Sequence, residues 1–188
     1  MGTLNYIKNF FRDKNVASVT PSSIFTVNQV VKRVATDRPV TIIEYGPGDG
    51  VITKPLLDAI HKESKLIVIE TNEDFIDQLN RIDDSRLRVF QDTAEKVDGI
   101  ASKESVTKAD FIISGIPFSF LEPEIRKELL AKTRDLLGDE GTFIAYQTSR
   151  HLKPFLEQTF RDVKVKMEYL NIPTMCVYEA NGSKQSNG

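Results

Sequence analysis

Cysteine is almost missing from this chain: Cys176 is the only one among 188 residues. A lone thiol closes no intramolecular disulfide, so nothing in the sequence requires an oxidising compartment. It lies in the apolar run PTMCVYE (173–179), where a small buried thiol is expected rather than a nucleophile. No stretch approaches the roughly 20 apolar residues of a membrane-spanning helix, and the N-terminus has no signal-peptide core. Charge of one sign is lacking too. Lys and Arg total 25 against 27 Asp and Glu, a formal net charge of −2, without the basic field of a dedicated nucleic-acid binder. Ten glycines and eight prolines exclude a collagen-like or repeat fibre, and the 40% apolar share excludes disorder throughout. No Cys/His cluster has ligand spacing, so no metal is expected. What remains is the size and balance of one globular domain, with the cytoplasm as its default location.

The pattern that is present alternates strands and helices. In LNYIKNFFRD (4–13), Leu4, Ile7, Phe10 and Phe11 share one helical face, with Lys8 and Arg12 near it. VASVTPSS (16–23) breaks that pattern and offers Ser22 or Ser23 as N-cap of a second helix, which Ile24, Val27, Val31 and Val34 carry to about Ala35. From Pro39, VTIIEY (40–45), KLIVIE (65–70), LRVFQD (87–92), ADFIISGIPF (109–118) and TFIAYQ (142–147) read as buried parallel strands. Helices are expected at 51–60, 75–79, from Pro123 to Leu136 and near 152–160, with a turn between Gly138 and Gly141. VKVKMEY (163–169) and PTMCVYE (173–179) read as an antiparallel edge hairpin, and NGSKQSNG (181–188) as a disordered polar tail. The expected fold is α/β, a three-layer sandwich whose seven-stranded, mostly parallel sheet ends in a C-terminal antiparallel β-hairpin. Residues 1–35 form a helical lead to a main domain at 36–180.

Glu44-Tyr45-Gly46-Pro47-Gly48-Asp49-Gly50 joins the first strand to the next helix. Gly46 and Gly48 let a ligand lie against the main chain, and Gly50 lets the helix pack close to the strand. Dinucleotides and S-adenosylmethionine both use such loops. Glu44 decides between them, since an acid here repels a pyrophosphate but suits a cofactor with an ammonium and a sulfonium. Glu70 closes the second strand, 20 residues beyond Gly50, where a carboxylate can accept from both ribose hydroxyls. Asp92 closes the third, where it meets an adenine amino group or is simply a solvated strand-end acid. All three face the carboxyl edge of the sheet, where open α/β folds bind ligands.

On these residues the chain resembles the class I S-adenosylmethionine-dependent methyltransferases, whose Rossmann-like strand–helix order and final hairpin match 36–180. More narrowly it resembles the small bacterial phospholipid (phosphatidylethanolamine) N-methyltransferases. That likeness rests on VASVTPSS (16–23), EYGPGDG (44–50), SGIP (114–117) and Asn171-Ile172-Pro173. It implies S-adenosyl-L-methionine as cofactor, S-adenosyl-L-homocysteine as product, and methyl transfer to the amine of a phospholipid or related amino lipid. A cytoplasmic protein, peripheral on the inner membrane surface, follows from the same likeness; the oligomeric state stays open.

SGIPFSF (114–120) stands where that family holds its acceptor. Ser114, Gly115, Ile116 and Pro117 are expected to align a lone pair with the methyl carbon. Phe118 and Phe120 either wall the pocket, attracting methylated cations over their rings, or belong to the core. His151, beside Arg150 and Lys153, reads as a base, a phosphate contact or a solvated loop histidine. The N-terminal helix reads as a membrane-surface anchor or as a lid. Two other enzymes compete with the lipid reading. Against an rRNA adenine N6-methyltransferase stand Ser114-Gly115 in place of asparagine, the charge of −2 and the lack of a following RNA-binding domain, so no nucleic acid is expected as partner. The other is a small-molecule N- or O-methyltransferase.

Overall fold

Along the first strand, Thr41–Tyr45, Ile43 and Tyr45 point to one side of the sheet and Ile42 and Glu44 to the other, and all four are buried. A strand covered on both faces needs helices above and below it. The computed structural model describes residues 24–170 and 174–183. The helix expected at 4–13, the lead at 16–23, Asn171-Ile172-Pro173 and residues 184–188 lie outside them.

The described elements are α1 (Ile24–Val34), β1 (Thr41–Tyr45), α2 (Thr53–Ala59), β2 (Lys65–Glu70), α3 (Glu73–Leu79), β3 (Leu87–Gln91) and α4 (Val97–Lys103). After them come β4 (Ala109–Ser114), α5 (Pro123–Leu136), β5 (Leu137–Gln147), α6 (Lys153–Thr159), β6 (Phe160–Glu168) and β7 (Met175–Ser183). One sheet runs β3-β2-β1-β4-β5-β7-β6. The first five strands are parallel, and β7 enters antiparallel between β5 and β6. Ile42, Val68, Ile113 and Ile144 pack with α1, α2 and α3, whereas Ile43, Ile67, Ile112 and Phe143 pack with α4, α5 and α6. This is the expected three-layer sandwich, with its antiparallel C-terminal pair.

Three details depart from the sequence reading. First, no helix is expected between the third and fourth strands, yet α4 buries Val97, Ile100 and Ala101 there; seven residues with Gly99 in the middle hide its period. Second, the turn expected at 138–141 lies inside β5 as a bulge. Ala109 pairs with Leu137 and Phe111 with Thr142, so the residues between are thrown out of register. Third, β7 continues through Asn181, Gly182 and Ser183, past the expected start of the tail, because Asn181 pairs with Thr142 on one side and Asp162 on the other. Within the expected lead, α1 packs on the sheet. Val30 and Val34 are fully buried, Gln29 donates to Glu168, and Arg33 pairs with Glu179, so residues 24–34 belong to the packed body.

Candidate active site

The register assembles the site. Tyr45 pairs with Ile69 and with Ser114, and Ser114 pairs with Ala145. One step further toward the carboxyl edge, Glu70, Gly46, Gly115 and Tyr146 stand side by side across β2, β1, β4 and β5. Alternation puts all four on the face that carries α1 and α2, the face Glu44 also points to. Two side chains with polar tips therefore flank a pair of glycines.

Those glycines are required by space. A Cβ on Gly115 would stand 2.5 Å from the Tyr146 hydroxyl and 2.9 Å from the Gly46 carbonyl oxygen. Gly46, Gly48 and Gly50 have φ of 63°, 60° and 81°, the left-handed region that side chains resist. Near Gly48 the space is open, with the closest atom to a would-be Cβ, on Phe75, 4.0 Å away. The loop thus exposes main chain where a ligand can approach.

Each acid is held differently. Glu44 is fully buried, and its Oε2 accepts from the Thr53 hydroxyl at 2.7 Å. Its Oε1 has no donor among the described residues, leaving an acceptor for a ligand or a water to complete. Burial, opposed by the Thr53 bond and aided by the Glu70 charge, pushes its carboxyl up to about 7. Glu70 is also buried: Oε2 accepts from the Gly48 N–H at 3.1 Å, and Oε1 from Thr71 and Asn72 N–H at 2.7 and 2.9 Å. Burial raises its pKa, and those backbone donors hold the rise back. Asp92 follows β3, is exposed, and accepts from the Thr93 N–H at 2.8 Å. Its backbone N–H donates to the Glu70 carbonyl at 3.1 Å, keeping the two strand ends together.

On the acceptor side the residues divide. Gly115 lies in the row, and Ile116 Cγ1 would be 3.1 Å from a Cβ on Gly46. Ser114 is fully buried on the opposite face by alternation, and its hydroxyl accepts the Ile116 N–H at 3.2 Å, shaping the loop. Pro117 is half-buried and leads into a 3-10 turn over Phe118–Phe120. Phe118 is core: 1% exposed, with its ring edge-on to Phe143 at 6.0 Å. Phe120 is 40% exposed. His151 is exposed in the turn after β5, outside the buried row, and its backbone N–H donates to the Ser149 hydroxyl at 3.2 Å.

The sequence reading missed Tyr146, Thr53 and Gln147. Gln147 accepts the Phe118 N–H at 3.2 Å and donates to the Ser149 carbonyl at 3.0 Å, so it splices the loops after β4 and β5. For Tyr146 a signal existed: alternation from Ile144 puts it on the Glu44 face.

No family model matches the chain. Among solved structures it superposes on magnesium protoporphyrin IX methyltransferase from Synechocystis PCC 6803, solved with S-adenosylmethionine bound, with a TM-score of 0.74 at 11% identity over 97% of this chain and 98% of that one. The fold is that of the class I S-adenosylmethionine-dependent methyltransferases. A second structure with this fold is the 1,6-didemethyltoxoflavin-N1-methyltransferase of Burkholderia thailandensis, solved with S-adenosylhomocysteine; its TM-score is 0.69 at 14% identity, over 97% and 87% of the two chains. By sequence, the chain is 26% identical to an ornithine lipid N-methyltransferase of Singulisphaera acidiphila over 185 residues, 96% of both chains. It is also 30% identical over 133 residues to ribosomal RNA small subunit methyltransferase A of Mycoplasma mycoides subsp. mycoides. That match spans 68% of this chain but only 42% of the other.

Proposed function

We propose that the chain binds S-adenosylmethionine at the carboxyl edge of β1, β2 and β3 and methylates the amine of an amino lipid, releasing S-adenosylhomocysteine. The loop of Gly46, Gly48 and Gly50 takes the cofactor against its main chain. Glu44 provides negative charge under the cationic amino-acid end, Glu70 accepts from the ribose hydroxyls, and Asp92 meets the adenine. The unpartnered Glu44 oxygen and the open space above Gly48 fit such a ligand. When bound, the cofactor supplies a methyl group already activated by the sulfonium. The protein's part is to bind, align and exclude water, which is where most of the acceleration in such a displacement lies. Gly115, Ile116 and Pro117 border the acceptor, and Ser114 holds their loop.

The observation that carries the lipid reading is the match to the ornithine lipid enzyme, which runs through 96% of both chains. The edge that bears the site supports it. Ile24, Phe25, Phe120, Tyr169 and Leu170 are each at least 40% exposed, and all lie at that edge. Phe120 follows β4, Tyr169 and Leu170 follow β6, and α1 rises toward its first residues from Arg33 at Glu179 to Gln29 at Glu168. An apolar rim around a polar cleft fits a headgroup presented by a lipid surface. No helix among the described residues is long and apolar enough to cross a membrane, so the proposed contact is peripheral.

The 30% identity to the ribosomal RNA enzyme favours a second reading, methylation of an adenine amino group. Expression in a host without methylated lipids, followed by lipid mass spectrometry, separates the two. New amino lipids heavier by one or more methyl groups are expected; unchanged lipids together with a methylated rRNA adenine would reverse the choice. Glu70→Ala should weaken cofactor binding by roughly 1–3 kcal/mol in calorimetry, since the ribose loses a charged acceptor. Wild-type affinity in the folded variant would move the cofactor elsewhere.

A further inference from the structure

Tyr146 is the one polar side chain in the strand-end row with no assignment. It is 8% exposed, and its hydroxyl overlies Gly115, 2.5 Å from where a Cβ would sit. Among the described residues that hydroxyl has no hydrogen-bond partner. The buried side-chain atoms without a partner among the described residues do not include this oxygen, so it keeps access to the cleft, where water or a ligand can pair with it. Phenylalanine would fill the same space, and no hydrogen bond within the described fold calls for the hydroxyl. The residue thus offers a polar tip to the cleft directly over Gly115, in the row that also holds Glu70.

We propose that Tyr146 positions the acceptor amine, its phenol oxygen accepting an N–H bond from the nitrogen to be methylated. This rests on the amine-methylation reading above. Burial, and after it the charges of Glu44, Glu70 and Asp49, keep the phenol protonated, so it holds the amine and does not take its proton. The reacting nitrogen forms its bond to the methyl carbon with its own lone pair. The carbon–sulfur pair goes to sulfur, and a primary or secondary amine then loses one proton to water, whereas a tertiary amine becomes quaternary and loses none. The lone pair must stay free to face the methyl group, so the amine can be gripped only by its hydrogens.

A consequence in chemistry follows. A neutral primary amine has two N–H bonds, a secondary amine one, a tertiary amine none. Tyr146 therefore helps the first and second methyl transfers and contributes nothing to a third.

The test compares Tyr146→Phe with wild type on short-chain phosphatidylethanolamine and ornithine lipid, each as the primary, N-methyl and N,N-dimethyl form. We expect kcat/KM to fall roughly tenfold, the size of one hydrogen bond, for the primary and secondary amines and to stay near wild type for the tertiary one. Cofactor affinity by calorimetry should be unchanged. In the presence of S-adenosylhomocysteine, binding of the unmethylated lipid should weaken while the trimethylated form, with no N–H in any protonation state, binds as to wild type. An equal loss on all forms, or no loss, overturns the role of Tyr146 and leaves the lipid reading standing. No methyl transfer by the wild-type protein to either lipid overturns both.

Discussion

A carboxyl group sealed under a glycine loop sets function against stability. Glu44 ionises near 4.5 when solvated and near 7 in the fold, chiefly because burial disfavours its charge. A raised folded pKa means that its contribution to stability is complete below pH 4.5 and is lost as pH rises to about 7, a change on the order of 3 kcal/mol. Glu44→Gln removes that loss. Thermal unfolding of the ligand-free protein should show the variant more stable than wild type at pH 8, with the gap closing toward pH 5. The same variant should bind the cationic cofactor more weakly, because the charge under its ammonium is gone. A glutamine variant that loses stability at pH 8 would refute this account. The acids were legible in the sequence because each closes an apolar strand and one adjoins a glycine loop, and both signals are local. For Tyr146 the signal stopped at its face: alternation within TFIAYQ aligns it with Ile144, but its place over Gly115 shows only when β4 is laid beside it. Phe118 was ambiguous for the same reason: its partner, Phe143, is distant in the chain.

Among the elements, α1 separates two kinds of attachment. Toward its C-terminal end the apolar face is sealed, with Val30 and Val34 fully buried, while the Arg33–Glu179 pair is 24% and 22% exposed. Part-exposed ion pairs contribute little, typically about 0–1 kcal/mol, whereas an unpaired carboxylate forced into an apolar site costs several. Val30→Asp should therefore lower stability by more than about 3 kcal/mol in urea unfolding, and Arg33→Ala by less than about 1. The reverse order would mean that charge docks the helix. Helical spacing of Val27, Val31 and Val34 revealed this element in advance, and proline at its first turn revealed α5. Nothing comparable marks α4, which is short, carries a glycine and depends on the sheet for its apolar partners. The bulge in β5 was equally hidden, because Gly138 and Gly141 signal a turn without saying that the strand resumes pairing on both sides of it.

At the scale of the molecule, the apolar rim and the polar cleft share one edge of the sheet, so a lipid surface would meet both together. Replacing Tyr169 and Leu170 by Ser, at 70% and 65% exposure, should leave unfolding and cofactor affinity unchanged and reduce flotation with anionic vesicles, since interfacial binding scales with the apolar area inserted. Unaltered flotation would place the membrane contact elsewhere. The layered α/β architecture was legible from the strand–helix alternation, and the antiparallel end from VKVKMEY and PTMCVYE. The order of those last strands was not, because alternation specifies faces and not neighbours. That order has a consequence for synthesis. β6 reaches the rest of the sheet through β7 alone, so a nascent chain that has emerged as far as Glu168 carries β6 with no strand to receive it and β5 as an open edge. Until Met175–Ser183 leave the ribosome, the sheet lacks the strand that would sit about 4.8 Å from β5 on one side and from β6 on the other, and both face that gap with unpaired backbone. Any extended peptide of suitable pattern can compete for that slot. The interval between those two segments is when the chain is most open to domain exchange with a neighbour on the same messenger.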